Sequence, residues 1–310
     1  MILTVTPTPA IDLTLELHEL VLGALNRSDL SEREASGKGV NVSWALHRAG
    51  VDTVALFPAG GSGAVFMTQT LTDANLPHRI VPIAEDVRTN ITIRPHRGTE
   101  TKVNSPGNRL TDQERVAFVG AVEQELGRAT YMCLSGSAPT DAPEGFMAEL
   151  VSLAKKHAVP TIVDTSGPAL MNAISAQPDV ITPNVHELCQ ITGTSFDTVG
   201  EVERAAQNVR LGGVETVIVT LGASGALLVD GEGTLWAQAK GVKPINSVGA
   251  GDALTAGYLA TQESRETMLT TAVWWASSAV ESMTTLFSLN PALKEGVSVR
   301  SDFNRSAILV

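Results

Sequence analysis

The chain has 310 residues, of which 43% are hydrophobic and 18% charged, and its formal net charge at pH 7 is −11. This is an ordinary globular composition, and it excludes a disordered or fibrous chain. The excess of acidic residues argues against binding to nucleic acid or to an anionic membrane, since both need a basic surface, but it is compatible with an anionic small-molecule substrate held by a few local cations.

Cysteine usage and the first residues of the chain bear on its compartment. Cys133 and Cys189 are too few for a disulfide framework or a four-cysteine zinc site, and both lie in or beside apolar runs, which predicts buried thiols. Residues 1–12 lack the basic and apolar segments of a signal peptide, and no run of about 18 apolar residues indicates a membrane span. We therefore expect a soluble cytoplasmic protein with no nucleic-acid or membrane partner.

Short apolar runs of high β propensity alternate with amphipathic helical patterns along most of the chain. The predicted strands are residues 2–6, 52–57, 130–135, 160–164, 179–182 and 216–221. The predicted helices include residues 41–49, 112–126, 143–157 and 201–211. A capping box of Thr111 and Glu114 is predicted to begin the second of these helices. Strand–helix alternation on this scale predicts a doubly wound α/β fold with a mainly parallel sheet.

Two stretches, residues 11–36 and 88–104, instead alternate polar and apolar residues with a period of two. This pattern predicts half-exposed antiparallel strands that form a small sheet outside the main one, a potential lid. The chain has no internal repeat and no Pro/Ser-rich linker. We therefore predict a single domain over residues 1–310 with these lid strands as an excursion.

The strongest local motif is NSVGAGDALTAGYLA at residues 246–260. Gly249, Ala250 and Gly251 permit a tight turn, and Asp252 then opens an amphipathic helix whose N-terminal N–H groups attract anions. A carboxylate beside such an anion site suits a general base next to a transferring phosphoryl group. The alternative is an ordinary N-cap aspartate.

Three further motifs each have a functional and a purely structural interpretation. Residues 36–41, SGKGVN, suit close approach to a ligand and contact with its hydroxyls, or a glycine-rich helix entry with a solvated lysine. Residues 182–188, TPNVHEL, place Asn184 and Glu187 on one helix face, which suits magnesium held through water or a capped helix start. Residues 220–229, TLGASGALLV, suit a nucleotide contact or a plain hairpin.

Three cations fall in or beside the predicted lid strands, namely Arg27, Arg88 and Lys102. Each alone is typical of a solvated surface residue. Together they form a candidate clamp for a phosphate group on the substrate, because arginine pairs bidentately with phosphate oxygens.

Taken together, the motifs resemble the PfkB carbohydrate kinase family of the ribokinase-like superfamily, in order from about residue 3 to about residue 260. The resemblance rests on TPTPAID (6–12), NRSD (26–29), SGKGVN (36–41), RTN (88–90), LSGSAP (134–139), VDTSGPAL (163–170), TPNVHEL (182–188) and NSVGAGD (246–252). The most similar branch contains 1-phosphofructokinase and tagatose-6-phosphate kinase.

The resemblance implies a three-layer α/β/α body with a β-sheet lid, a homodimer formed through the lid, Mg²⁺·ATP as phosphoryl donor and a sugar phosphate as acceptor. By position, Asp252 would be the base, and Gly249, Ala250 and Gly251 the anion hole. Sugar-phosphate binding would fall to Asp12, Arg27, Gly37, Lys38, Asn41, Arg88, Lys102 and Ser137. The nucleotide and its phosphates would contact Asp164, Asn184, Glu187, Thr220, Gly222 and Gly225, with Glu187 holding Mg²⁺ through water.

Three positions depart from the family pattern: Thr8 replaces an asparagine, Ser36 replaces a glycine and Thr182 replaces a lysine. None of them is Asp252, so we expect the activity to be retained. The expected reaction is ATP-dependent phosphorylation of a ketohexose phosphate, D-fructose 1-phosphate giving fructose 1,6-bisphosphate. The alternatives are a tagatose-6-phosphate kinase, a 6-phosphofructokinase and a weakly active regulator that binds sugar phosphate.

Overall fold

A computed structural model of the protein describes residues 1–282, 284 and 286–309. Its strands are β1 (Ile2–Val5), β2 (Ala10–Glu19), β3 (Leu30–Ser36), β4 (Thr53–Ala59), β5 (His78–Pro82), β6 (Arg88–Arg97), β7 (Thr101–Val103), β8 (Tyr131–Ser135), β9 (Thr161–Asp164), β10 (Val180–Ile181), β11 (Thr216–Thr220), β12 (Ala226–Asp230), β13 (Gly233–Ala239) and β14 (Val297–Arg300). Its helices are α1 (Lys38–Arg48), α2 (Gly61–Asp73), α3 (Asp112–Leu126), α4 (Phe146–Lys156), α5 (Gly167–Ser175), α6 (Val185–Thr192), α7 (Val199–Leu211), α8 (Ala250–Leu259), α9 (Arg265–Val280) and α10 (Pro291–Glu295).

The main sheet, within the described ranges, has the strand order β14-β13-β12-β11-β10-β9-β8-β1-β4-β5. Neighbouring strands are parallel from β5 to β11 and antiparallel from β11 to β14. A strand or helix is present at each predicted position, and the Thr111–Glu114 capping box is confirmed. Helix α1 begins at Lys38 rather than Asn41, because the amide of Asn41 already donates to Gly37 O. The predicted mainly parallel α/β fold is confirmed.

Helices cover both faces of this sheet, since alternate residues of each buried strand point to opposite sides. On β8, Met132 and Leu134 pack with α3 to α7, whereas Tyr131 and Cys133 pack with α1, α8 and α9. Helix α2 joins α1 in a third cluster that includes Phe57 of β4. The body therefore has the three layers that the resemblance implies.

The two cysteines differ in burial. Cys133 on β8 is fully buried and Cys189 on α6 is partly exposed, and both are free thiols. The prediction of buried thiols is correct for Cys133 and wrong for Cys189. In the part of the chain that the structure describes, no helix has the length and apolar character needed to cross a membrane.

A separate four-stranded sheet, which we call the small sheet, has the order β3-β2-β6-β7. The antiparallel prediction is correct for β2 with β3 and for β6 with β7, but it is wrong for β2 with β6, which are parallel. Both strands leave the same edge of the main sheet, β2 after β1 and β6 after β5, so they run outward in the same direction. Their register places Asp12 opposite Asn90 and Ala10 opposite Arg88.

Helix α8 packs closely against α9 at Gly257. A Cβ atom added there would lie 2.7 Å from Thr271 O and 2.9 Å from Ala272 Cα. We expect Gly257→Ala to lower the free energy of unfolding by about 1–3 kcal/mol, because backbone atoms must move apart. Urea denaturation measures this change.

Gly120→Ala on α3 is the matched control, because no atom lies within 4 Å of its added Cβ. Alanine is the better helix former, so this variant should gain about 0.5–1 kcal/mol. Equal stability of the two variants would contradict the tight approach of α8 to α9.

Candidate active site

The candidate residues gather where parallel strands of the main sheet end. Ser137 follows β8, Asp164 ends β9 and Thr220 ends β11. Strand β1 lies between β4 and β8, so the chain changes direction across the sheet beside β1. Open α/β sheets bind their ligands in the crevice outside the carboxyl ends of the strands at such a point.

Asp252 lies in the first turn of α8 and is only 7% exposed. The N-cap is Gly249, whose φ of 77° is left-handed and suits glycine. Asp252 is therefore not the N-cap, and the ordinary-cap alternative is wrong. Its Oδ2 atom accepts a hydrogen bond of 2.8 Å from Nδ2 of Asn41, so the carboxylate is held by a neighbouring helix.

Two further charged groups act on Asp252, the buried carboxylate of Asp164 and the half-exposed ammonium of Lys38. Lys38 Nζ at the start of α1 lies 2.7 Å from Oδ1 of Asp164, which is 3% exposed. The second oxygen of Asp164, Oδ2, is buried and has no hydrogen-bond partner within the described residues. Burial lowers the pKa of Lys38, but attraction to Asp164 and Asp252 outweighs burial and the pKa is raised. The ammonium therefore stays charged.

The pKa of Asp252 is raised to about 7. The largest cause is the loss of water on burial, which disfavours the charged form and outweighs the attraction of Lys38. Repulsion from Asp164 and Asp12 also raises the pKa, and the hydrogen bond from Asn41 lowers it. A carboxylate with a pKa near neutral pH can accept a proton from a substrate under physiological conditions.

A chain of hydrogen bonds connects Asp252 to the small sheet. Ser36 Oγ lies 3.2 Å from Oδ1 of Asn41 and donates to Oδ2 of Asp12 at 2.6 Å. Asn90 Nδ2 donates to the other oxygen of Asp12 at 2.9 Å. Asp12 and Asn41 are thus brought together as the sequence predicts.

Arg88 lies at the same end of the small sheet. Its guanidinium donates to Ser105 O at 3.1 Å and to Thr8 O at 3.4 Å, while the buried Nε has no partner in the ranges described. Burial lowers the pKa of Arg88, and attraction to Asp12 opposes this change. Ser137 is close by, because its Oγ lies 2.8 Å from Thr8 Oγ1.

Arg27 is not brought to this cluster. It is exposed in the loop between β2 and β3, where the amide of Asp29 donates to Glu16 O. Glu16 is four positions beyond Asp12 on β2, or about 13 Å along an extended strand. A role for Arg27 in substrate binding stays a prediction.

Lys102 is also distant from Arg88. It lies on the edge strand β7 opposite Thr92, which is four positions, about 13 Å, beyond Arg88 on β6. Its Nζ pairs with Glu100 at 3.1 Å. The three predicted cations therefore do not form one clamp within this chain.

Asn184 and Glu187 begin α6 as a capping box. Oδ1 of Asn184 accepts from the amide of Glu187, and Oε2 of Glu187 accepts from the amide of Asn184. The capped helix start, which is the structural interpretation of the TPNVHEL motif, is thus confirmed. A β-bridge joins Asn184 to Thr220, so the pair still lies beside the end of β11.

The Glu187 carboxylate faces the charged cluster. Burial raises its pKa, and Lys38 is among the groups that oppose this change. Within the described residues, no three His, Cys, Asp or Glu side chains are placed to hold a metal ion. Magnesium nevertheless suits this donor set, since it is commonly held by one or two carboxylates, water and substrate phosphates.

The TLGASGALLV segment is an antiparallel β11–β12 pair joined by a 3₁₀ turn at Gly222–Ser224, as the hairpin alternative predicts. A Cβ at Gly225 would lie 2.0 Å from Ala237 O, so this glycine is required for packing against β13. Nothing lies within 4 Å of a Cβ added at Gly222 or Gly251. Those two positions leave space for a ligand.

The three departures from the family pattern all make hydrogen bonds. Thr8 bonds Ser137, Ser36 bonds Asp12 and Thr182 Oγ1 lies 3.5 Å from Thr255 Oγ1.

Sequence reasoning missed the contribution of Asn90. Its spacing of two from Arg88 on a strand puts both side chains on one face, and this signal was available in the sequence.

Comparison with known proteins gives a family match over most of the chain. A model of the pfkB family of carbohydrate kinases matches residues 7–292. The 1-phosphofructokinase of Bacillus subtilis (strain 168) is 33% identical over 260 residues, which cover 84% of this chain and 85% of that protein.

Two solved structures show the same architecture. The tetrameric inhibited form of phosphofructokinase-2 from Escherichia coli superposes with a TM-score of 0.86 and 29% identity over 90% of this chain and 94% of that one. A protein described as a possible 1-phosphofructokinase from Thermotoga maritima has a TM-score of 0.88 and covers 98% of this chain and 100% of that one. At 24% identity, the second likeness concerns the fold alone.

We expect Lys38→Met to raise the pKa of Asp252 above about 7, because Lys38 stabilises the ionised carboxylate. A ¹³C NMR titration of the Asp252 carboxyl, assigned by its loss in Asp252→Asn, measures this shift. Lys155→Met, on the exposed face of α4, is the control and should leave the titration unchanged. An unchanged or lower pKa in Lys38→Met would contradict this account.

Proposed function

The chain belongs to the pfkB family of carbohydrate kinases, and we propose that it transfers the γ-phosphoryl group of ATP to D-fructose 1-phosphate. The products are fructose 1,6-bisphosphate and ADP. The observation that carries the proposal is the buried Asp252 carboxylate at the N-terminus of α8, held by Asn41 and balanced by Lys38. The choice of fructose 1-phosphate is supported by the likeness to the Bacillus subtilis relative.

Asp252 is the general base in this proposal. It accepts the proton of the sugar hydroxyl as the hydroxyl oxygen attacks the γ-phosphorus and the bond to the β-phosphate oxygen of ATP breaks. The N–H groups of the turn at Gly249, Ala250 and Gly251 face the transferring phosphoryl group and stabilise its oxygens. The open space beside Gly251 supports this placement.

The acceptor sugar phosphate binds between the main body and the small sheet. Asp12, Asn41 and the backbone at Gly37 contact its hydroxyls, since the two side chains already meet through Ser36. Its existing phosphate binds Arg88 and Ser137, whose groups both contact Thr8.

Lys38 takes a different place from the sugar contact that its motif implies. Its ammonium pairs with Asp164 and faces Asp252 and Glu187. We therefore place it beside the transferring phosphoryl group, where a fixed positive charge stabilises the transition state.

The nucleotide lies along the end of β11, with Thr220 and Gly222 as its contacts and Asn184 and Glu187 beside its phosphates, whereas Gly225 packs against β13. The bridge between Asn184 and Thr220 supports this arrangement. Glu187 would hold Mg²⁺ through water together with the ATP phosphates, and the unpartnered Oδ2 of Asp164 offers a further acceptor on the same side. Magnesium supplies neutralisation of charge on the phosphate oxygens.

The small sheet is the proposed dimer interface. The loop between β2 and β3 exposes several large apolar side chains, of which Leu22 is 87% and Leu25 77% exposed. Neighbouring apolar groups in water favour association with a partner surface. Such an assembly would place Arg27, which lies on this loop, beside the sugar phosphate of the partner.

A 6-phosphate acceptor is the second candidate, favoured by the likeness to the phosphofructokinase-2 of Escherichia coli, which has been solved in complex with fructose-6-phosphate. The test is ADP production with Mg²⁺·ATP against fructose 1-phosphate, tagatose 6-phosphate, fructose 6-phosphate, fructose and ribose. Preference for fructose 1-phosphate in kcat/KM supports the proposal. Preference for a 6-phosphate selects the second candidate, and turnover of neutral sugars alone contradicts the phosphate site at Arg88. Binding without turnover supports a regulator.

We expect Asp252→Asn to lower kcat by roughly 10²–10⁴-fold, because the amide cannot accept the proton. Calorimetry should still detect binding of the sugar phosphate. Asp73→Asn, at the exposed end of α2, is the control and should leave turnover unchanged. Near wild-type kcat in Asp252→Asn would exclude Asp252 as the base.

We expect Arg88→Ala to raise KM for the sugar phosphate by roughly 10–100-fold, because a charge-assisted contact to phosphate is lost. KM for ATP should change little. Arg33→Ala is the control, since Arg33 lies on the same sheet and stacks over Phe66 at 4.4 Å. An equal increase of both KM values would argue against a phosphate contact at Arg88.

A further inference from the structure

Ser36, the last residue of β3, occupies the gap between the small sheet and the helix that contacts the base. It is 2% exposed, and its Oγ atom contacts two acceptors, Asp12 Oδ2 at 2.6 Å and Asn41 Oδ1 at 3.2 Å. A hydroxyl group has one proton, so Ser36 can donate fully to only one of them. In the absence of substrate the closer, charged Asp12 is the stronger acceptor.

The Asn41 amide has two different ends, and each faces a different partner. Nδ2 donates to Asp252 Oδ2 at 2.8 Å, and Oδ1 faces Ser36. A flipped amide would turn its oxygen toward the Asp252 carboxylate, where the two acceptors repel each other. A proton donated by Ser36 to Oδ1 therefore holds the productive orientation and polarises the amide, which strengthens donation from Nδ2.

Binding of a sugar hydroxyl to Asp12 changes which acceptor the Ser36 hydroxyl prefers. In the proposed function Asp12 accepts hydrogen bonds from sugar hydroxyls, and the hydroxyl of Ser36 then competes with them for the same carboxylate. Rotation about the Cβ–Oγ bond of Ser36 moves its proton from Asp12 to Asn41 without breaking a covalent bond. The effect reaches Asp252 through a single side chain.

We propose that Ser36 is a positioning residue that connects sugar binding at Asp12 to the orientation of Asn41 on Asp252. This inference rests on the proposed function, because it requires a sugar hydroxyl at Asp12. It concerns a side chain that touches neither the transferring group nor the base.

The expected signature follows from the charges around Asp252. Lys38 on α1, Asp164 on β9 and Asp12 on β2 act on it together with the hydrogen bond from Asn41. Donation from Asn41 lowers the pKa of Asp252, so stronger donation in the sugar complex lowers it further. Without the Ser36 hydroxyl this further decrease is lost. The pKa of Asp252 in the sugar complex then stays higher than in the wild type.

The experiment compares Ser36→Ala with the wild type in single-turnover reactions at saturating substrates across pH. We expect the phosphoryl-transfer rate at pH 6 to fall about tenfold in Ser36→Ala, as a bond that orients a catalytic group is lost. The acidic limb should move to higher pH, while KM for ATP stays unchanged. Ser36→Gly, which also lacks the hydroxyl, is the second variant and should behave in the same way.

Ser43→Ala is the matched control. Ser43 is a buried serine on α1 that bonds Thr4 Oγ1 at 2.7 Å and Thr53 Oγ1 at 3.0 Å, without contact to the site. It should keep the wild-type pH profile even if stability falls. A shift of the pH profile by an equal amount in Ser43→Ala would show that the effect of Ser36→Ala comes from lost stability alone. That result would overturn the proposal.

A second readout does not depend on turnover. NMR titration of the Asp252 carboxyl should give equal pKa values for wild type and Ser36→Ala without sugar phosphate, and a decrease on sugar binding in the wild type only. The inference is overturned, and the kinase function left intact, if the wild type is active and Ser36→Ala has the same pH profile and the same Asp252 titration. A wild type that neither binds nor phosphorylates any sugar phosphate overturns both.

Discussion

The attraction of one half-exposed ammonium, that of Lys38, to two buried carboxylates organises the charged site. Lys38 pairs with Asp164 and also attracts Asp252, and each of the three groups comes from a different element, α1, β9 and α8. Two buried carboxylates close to each other would otherwise repel and take up protons. The ammonium keeps a basic carboxylate partly ionised near neutral pH, which is the property that a phosphoryl-transfer base needs.

The segment that contains Lys38, residues 36–38, also connects the main body to the small sheet. Ser36 ends β3 and contacts Asp12, and Lys38, two residues later, begins α1 and contacts Asp164. Gly37 between them has a φ of 121°, a conformation that other residues rarely adopt, and it turns the chain from strand to helix. Residues 36–38 therefore join the small sheet to the charged cluster through three consecutive positions of the chain.

Much of the fold was predictable because its signals are local. The apolar runs of the buried strands and the Thr111–Glu114 capping box each involve residues a few positions apart, and the structure confirms them. The parallel pairing of β2 with β6 was not predictable, since an alternating pattern is the same in parallel and antiparallel sheets. The same pattern also did not reveal that Lys102 lies far along the sheet from Arg88, because strand register is a property of the pair.

Local sequence patterns were sufficient to predict the α/β class, the positions of the central strands and the family that the motifs indicate. Which side chains meet depends on the three-dimensional arrangement of the strands and helices. Lys38 and Asp164 are 126 positions apart in the chain, and Asn41 and Asp252 are 211 apart. Such contacts depend on the order of strands in the main sheet and on which helices pack beside each other. Hydrophobic periodicity and capping residues act within a turn or two of backbone, so they specify each element but not its neighbours.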